Sequence, residues 1–427
     1  ISAYAYAEIL EPGGYLSIYF SSFYGFSIRN TFFASIILGL SLFPYVYLLT
    51  RIAIINFSAR FIEAAKTMGK SPWQCFFKIC LPMAIPGIAA GLALALMETI
   101  NDFGVADFFG LQTLTIGVFQ YISVINDLPS AFSLSLIILI IMLLLYIFEQ
   151  KMRGDKQFNN SSYESIQWSR YQLSKGKTIL VFSLSFLPIF FGFFVPLLFN
   201  FFIFINNYEI IDYSNYLSSL INSMILGSLV GFFCILVSIF INFYSRFSRN
   251  KKFLYYKKII NLGYAVPGVV IALGVLIFIK YLNQFSHFTI LATLIGLILA
   301  LIIRLISISN NSIDSGLEKV GKSIDDASRL IGRRSSTTYF RIIIPQIKLS
   351  ILAGFLLVFV DTIKELPITL LLRPFNFDTL ATSLYEYSSN EMFENGSLHA
   401  LTIILFLSLV IYIFDSVIEK KQISKTR

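Results

Sequence analysis

The chain has 427 residues, of which 56% are hydrophobic and only 13% charged; Phe alone accounts for 44, and the mean hydropathy is +0.75. A soluble domain carries about 25% charged residues, so this composition excludes a disordered chain, a collagen-like chain and nearly every soluble enzyme. The formal net charge of +9 would suit nucleic acid, but the placement of the basic residues explains it without such a partner.

Apolar runs of membrane-spanning length cover roughly 31–50, 83–100, 131–148, 178–205, 217–241, 262–281, 289–309, 349–371 and 397–418. A weaker tenth, near 1–20, holds Glu8, Glu11, Pro12, Gly13 and Gly14 and reads as the tail of a helix. Backbone in hydrocarbon must satisfy its own hydrogen bonds, so the runs are predicted to be helices; the alternation of a membrane β-barrel is not visible. The expected fold class is an all-α polytopic membrane protein. Pro44, Pro267 and Pro367 fall inside the runs, either as gating kinks or where neighbouring helices re-satisfy the backbone.

Lys and Arg set the orientation. Segments 51–78, 149–177, 246–258 and 304–348 and the tail after 418 hold nearly all of the 33 basic residues. Threading nine spans in order puts these segments on one face and leaves Arg29, Lys280, Lys364 and Arg373 on the other. The basic face, and with it the C-terminus, is expected to be cytoplasmic. Cys75, Cys80 and Cys234 are an odd set without metal-like spacing, and His287 and His399 are too few for a histidine-based metal site or triad.

The chain also repeats itself. At a shift of 263 residues, Glu63-Ala64-Ala65 falls on Asp326-Ala327-Ser328, Gly69 on Gly332, Pro82 on Pro345 and Gly91 on Gly354. Glu98 and Asp102 fall on Asp361 and Glu365. After three extra residues, Gln112-Thr113-Leu114 aligns with Asp378-Thr379-Leu380. The reading is two parallel homologous halves, 1–149 and 178–427, joined by a polar linker at 150–177. Six spans follow the linker, and three with a fragment precede it. The two-half reading therefore expects about two to three further helices ahead of Ile1.

Each half carries a helix–Gly–helix elbow in a basic loop, at 58–82 and 321–345. In the first, Ser58 is placed to cap a short helix ending at Gly69, and Ser71-Pro72 to start the next. In the second, Ser323 and Asp326 have capping-box spacing, Gly332 breaks the helix, and Ser335 or Ser336 restarts it. A lone Glu-Ala-Ala triplet carries no information; two copies with Gly and Pro at matched offsets do. The copies read EAAKTMG…ICLP and DDASRLIG…IIIP. They resemble the EAA loop of ABC importer permeases, the second with Asp326 for Glu and Ser328 for Ala.

The resemblance implies a type I importer permease with both halves fused. Glu63, Ala64, Ala65, Gly69, Pro82, Asp326, Ala327, Gly332 and Pro345 would form the coupling loops that seat in cytoplasmic ABC ATPase subunits, two copies in all. It implies a periplasmic or extracellular binding protein and a location in the bacterial inner membrane. ATP is expected to be used by the partner, and the chain to be neither an enzyme nor the holder of a cofactor.

The segments Asp361–Glu391 and Glu98–Tyr121 resemble the fused permeases of the ferric-iron importer subfamily, most closely through Lys364-Glu365-Leu366-Pro367 and Leu372–Thr382. The binding-protein partner would then carry iron. Fused thiamine permeases share the architecture, so thiamine or another small solute stands as the alternative cargo, and an ion-coupled secondary transporter as a more distant reading. Ferric ion prefers hard oxygen ligands. Glu98 with Asp102, and Asp361 with Glu365, stand i, i+4 on one helix face. They predict either an acidic ring guiding a cation along the pathway, or local ion pairs to Lys364 or Arg373 that hold the loop in shape. No firm metal ligand set is read.

Overall fold

The computed structural model describes residues 1–11, 14, 27–55, 60–153, 173–248, 252–284 and 294–423. Ser58, His287 and residues 154–172 of the polar join lie outside the described residues. Among the described residues no strand occurs. The helices are α1 Ser2–Leu10, α2 Thr31–Ile55, α3 Arg60–Thr67, α4 Pro72–Asn101, α5 Gly104–Phe108, α6 Leu114–Ser123, α7 Leu128–Arg153 and α8 Lys175–Asn207. There follow α9 Tyr213–Phe247, α10 Lys252–Asn261, α11 Gly268–Asn283, α12 Leu294–Glu318, α13 Ser323–Leu330, α14 Ser335–Gln346, α15 Lys348–Lys364, α16 Pro367–Leu372, α17 Leu380–Ser389 and α18 Phe393–Ile423.

Seven described helices are long and apolar enough to cross a membrane, and nine if each of two bent pairs is one span. They correspond one for one to the nine apolar runs. Two runs are not straight. The 262–281 run contains a 118° bend between the turn ending at Ala265 and α11. Val266 is extended there and Pro267 sits at the N-cap. Proline disfavours helical geometry in the residue before it and donates no N–H. The 349–371 run ends as α15 at Lys364; Glu365 is extended, and Pro367 opens the separate helix α16. Pro44, by contrast, lies inside the unbroken α2. Arg304, counted by sequence with a basic loop, is instead buried in the middle of α12.

The chain packs as two units, residues 1–115 with 136–199, and 116–135 with 200–427. These cut across the boundaries of the sequence repeat, because residues 178–199 pack with the first unit. There α2 and α4 approach closely at small residues. A Cβ on Gly91 would lie 2.6 Å from Val46 Cα, and one on Gly87 2.7 Å from the Leu49 carbonyl oxygen. Gly192 of α8 comes equally near Leu40. Lipid tails are as apolar as Leu, so helices in a bilayer associate through such close packing rather than through apolar burial. Phe190–Phe194 widens into a π-turn, and the Tyr6 hydroxyl donates to the Phe191 carbonyl. The π register opens that carbonyl to an outside donor.

In the second unit α9, α12 and α15 pack together. Gly227 and Gly231 face the rings of Phe359 and Phe355, and Gly316 faces Ser350. Leu226, Val230, Leu297, Leu301, Leu305 and Val358 fill the centre. Along one end the buried contacts turn polar. Ser238 bonds Ser309 at 2.7 Å, Asn242 donates to Asn310 at 2.7 Å, and Asn310 donates to Asn261 at 2.7 Å. Lys257 reaches both Asn242, at 3.0 Å, and Asp314. Interhelical hydrogen bonds of this kind fix register where apolar contact alone would let helices slide.

The glycine contacts predict the cost of filling them. Gly91→Leu forces a side chain into the α2 backbone and should destabilise the first unit by about 1–3 kcal/mol. Gly39→Leu, with nothing within 4 Å, should be nearly neutral. Thermal unfolding of the detergent-solubilised variants measures both.

Candidate functional site: two helical elbows

The first elbow is α3, a left-handed glycine and the start of α4. Gly69 has φ +77°, its N–H donates to the Lys66 carbonyl at 2.9 Å, and the Lys70 N–H donates to the Ala65 carbonyl at 3.0 Å. This is the Schellman termination, which needs φ > 0 and hence glycine. Ser71 then forms a capping box with Gln74, with Pro72 in the first turn of α4.

The second elbow repeats this at the same offset of 263. Gly332 has φ +74°, its N–H donates to the Arg329 carbonyl at 2.9 Å, and the Arg333 N–H donates to the Ser328 carbonyl at 3.0 Å. Exposure matches over 63–71 and 326–334, while Phe76 is exposed where Tyr339 is buried. Glu63 and Ala64 are exposed and Ala65 buried; Asp326 and Ala327 are exposed and Ser328 buried. Met68 and Ile331, each just before its glycine, are 77% and 69% exposed, so each elbow presents an apolar tip to its surroundings. The expected capping box of Ser323 with Asp326 does not form. Lys322 is the N-cap without a side-chain bond, and Ser323 is already helical. Ser335 is the first residue of α14, as one of the two expected restarts.

Pro82 and Pro345 explain a feature that sequence reading missed. The backbone runs as a π-turn over Phe76–Cys80 and Tyr339–Ile343, with the Leu81 and Ile344 N–H groups donating to the Phe76 and Tyr339 carbonyls. Each proline follows one residue later. Proline cannot donate to the carbonyl four residues back and clashes with it; a wider turn before it accommodates both facts. A proline at one offset inside two helical patterns was the signal that could have found it.

The four carboxylates take different places. Asp102 Oδ1 accepts the Val105 N–H at 2.9 Å, and Glu365 Oε1 accepts the Ile368 N–H at 3.3 Å. Each thus satisfies the first turn of the short helix that follows, α5 or α16. Glu365 also pairs with Arg304 at 2.8 Å, with side chains 8% and 6% exposed, beside Gly268. Arg304 was not among the partners weighed from sequence, which were Lys364 and Arg373. Asp361 is the residue that meets Lys364, at 2.8 Å. Arg373 pairs with Asp378 and Glu386. Glu98 is half-buried on the last turn of α4. An Arg inside an apolar run is a signal in itself; Arg304 carried it. Among the described residues no group of three or more His, Cys, Asp or Glu is placed to hold a metal ion. His399 is buried, with Nδ1 at 3.0 Å from the Asn395 carbonyl and its ring against Tyr216 and Tyr387.

Long apolar helices interrupted by a duplicated elbow suit a transport protein of the membrane. The family of binding-protein-dependent transport system inner membrane components matches residues 15–154 and 235–424, and the chain belongs to it. It is a multi-pass permease of the inner membrane. Membership implies, in general terms, ATPase and binding-protein partners. The chain is 25% identical over 382 residues to the Fe(3+)-transport system permease protein FbpB 2 of Haemophilus influenzae, covering 88% of this chain and 74% of that protein. It is 22% identical over 449 residues to the ferric transport system permease protein FbpB of Actinobacillus pleuropneumoniae, covering 98% of this chain and 64% of that one. The molybdenum transport system permease protein ModB of Haemophilus influenzae is 32% identical over 116 residues, 26% of this chain and 49% of that protein.

The Arg304–Glu365 pair sets an expected outcome. Arg304→Ala leaves a buried carboxylate and should cost about 3–5 kcal/mol, whereas Arg304→Met with Glu365→Leu should recover most of it. Thermal unfolding of the purified variants measures the difference.

Proposed function

We propose that this chain forms the translocation path of an ATP-driven importer for ferric iron, with both halves of the path in one polypeptide. The elbows face the cytoplasm, each seated on one copy of a separate ABC ATPase, and an iron-binding protein delivers cargo at the opposite face. The C-terminus is cytoplasmic on this reading, as the basic loops favour. ATP is hydrolysed by the partner, and this chain binds no cofactor and catalyses no reaction: Gly316–Ser323 has the Gly-x-x-x-x-Gly-Lys-Ser spacing, but its first glycine lies within α12 rather than in a loop after a strand.

The observation that carries the coupling reading is the matched pair of elbows, with the same left-handed glycine, the same exposure over 63–71 and 326–334 and the same π-turn, 263 residues apart. A short helix held in a cleft, and joined through its left-handed glycine to the helix that leads into a membrane span, acts as a lever between ATPase closure and helix motion. Iron is favoured because the relatives that cover most of this chain are named for ferric transport, whereas the molybdenum relative matches a quarter of it. Among the carboxylates, Glu98 and Asp361 are the pathway candidates. Asp102 and Glu365 serve helix ends, while the partly exposed Asp361–Lys364 contact is of the weak, exchangeable kind.

Reconstitution of the full-length protein with its ATPase and binding protein tests this. Radiolabelled ferric iron should enter vesicles only with ATP, and Gly69→Val with Gly332→Val should abolish uptake, because a β-branched residue is an outlier in the left-handed region that both turns need. ATP-driven uptake of thiamine or a polyamine in place of iron would overturn the cargo, and uptake indifferent to ATPase and elbows would overturn the permease mechanism. Separately, Glu98→Gln with Asp361→Asn should slow iron uptake by about tenfold through lost electrostatic attraction; unchanged uptake removes both from the pathway.

A further inference from the structure

The second half carries three residues more than the first at one place, and the structure shows which three they are. At the offset of 263, α16 matches α5, with Glu365 on Asp102, Pro367 on Gly104 and Leu372 on Phe109. Leu372 and Phe109 are both buried, at 6% and 3% exposure. The next matched residues are Asn376, with φ +59°, and Gly110, with φ +65°, the left-handed position of each turn. They stand 266 apart, so the inserted residues are Arg373, Pro374 and Phe375. Phe375 is 97% exposed, the most exposed large apolar side chain among the described residues.

The backbone around that ring is braced. The Arg373 N–H donates to the Thr369 carbonyl at 2.9 Å and the Phe377 N–H to the Pro374 carbonyl at 3.2 Å, so Phe375 and Asn376 form the tip of a closed turn. A left-handed residue at the third position of such a turn favours Asn or Gly. The Arg373 guanidinium pairs with Asp378 and with Glu386 of α17. Asn222 of α9 donates to the Asp378 carbonyl at 2.9 Å, and the Leu380 N–H donates to Ser223 Oγ at 2.8 Å. Phe377 packs against the core of the second unit. A ring presented on a turn held in this way loses little freedom when a partner covers it. The turn also has a definite side. Along α9, Gly227 faces Phe359 of α15, and Asn222, five residues further out, meets the turn. The turn therefore lies at the Lys364 end of α15, while the elbow joins α15 at Lys348; 17 helical residues, about 25 Å of rise, separate the two. Ion pairs and the exposed Asn376 beside the ring are costly in hydrocarbon, which favours water and a soluble partner over lipid.

We propose that Phe375 is an anchor for the binding protein on the face opposite the elbows: the ring enters an apolar pocket of that partner, and Asn376 and the Arg373 ion pairs meet the pocket's polar rim. Binding energy at protein interfaces concentrates in such aromatic anchors. The first half has no counterpart of the three residues that build this one. The proposal rests on the permease reading above and names the residue that meets its outer partner.

The test uses the full-length protein with its ATPase in proteoliposomes, and the iron-loaded binding protein as probe. Phe375→Ser should weaken capture of the binding protein by about tenfold or more, the factor that burial of one phenylalanine ring supplies. In ATP-driven uptake the same variant should raise the KM for binding protein by that factor and leave the rate at saturation within about twofold of wild type. Phe375→Trp should bind as wild type does. Thermal unfolding of Phe375→Ser should match wild type, because the ring is exposed. Phe375→Cys carrying an environment-sensitive dye should shift to the blue only when binding protein is added. Unchanged affinity in Phe375→Ser overturns the proposal. So does a blue shift in the vesicles before binding protein is present, which puts the ring in lipid. If wild type shows neither capture of the binding protein nor ATP-driven uptake, the permease reading itself fails instead.

Discussion

A helix that stops or bends leaves backbone groups without an intrahelical partner, and where the chain crosses hydrocarbon no water completes their hydrogen bonds; that constraint runs through the features of this chain that bear on function. Inside a helix the requirement meets itself, and the long apolar helices need no further account. It becomes demanding wherever a helix stops, bends or widens. At Gly69 and Gly332 a left-handed residue turns two N–H groups back onto open carbonyls. At Asp102 and Glu365 a carboxylate serves the first turn of the next helix. Before Pro82 and Pro345 a wider turn bypasses the bond that proline cannot make. The chain breaks its helices at matched places 263 residues apart and with the same chemistry.

The breaks also explain why carboxylates that look alike in sequence differ in role. Glu98 and Asp102 occupy successive turns of one helix, as do Asp361 and Glu365. The second member of each pair falls where the helix ends, and the bond it makes there is set by the N–H groups beyond the break. Glu365 carries the further contact with Arg304, at the point where α11 begins beside the pair at Gly268. A buried ion pair is a poor source of stability but a strong constraint on geometry, because breaking it strands a charge.

Helix packing follows from the same medium. With no apolar driving force between helices in lipid, close approach at Gly87, Gly91, Gly227 and Gly231 and the Ser–Asn contacts of the second unit do what a hydrophobic core does in water. The cut of the packing units across the sequence repeat reflects this. Residues 178–199 belong by sequence to the second half, yet Gly192 and the opened Phe191 carbonyl fit them to the first unit.

By itself the sequence determined the fold class, the number of apolar spans, the internal repeat and the place of both elbows. Each of these depends on a periodic or local signal: run length, a fixed offset, a glycine after a short helix, a proline beyond it. The bends at Pro267 and Pro367 were within reach for the same reason. Only the tertiary structure decided which partner Glu365 takes, that Arg304 lies inside a span, that Lys322 displaces Ser323 at a cap, and that Arg246 pairs with Asp325 of the second elbow. Arg246 and Asp325 are 79 residues apart, and Arg304 and Glu365 are 61 apart. No local rule connects such residues. Their pairing is fixed by the way α9, α12 and α15 cross, and that crossing depends on which small residues let the backbones meet.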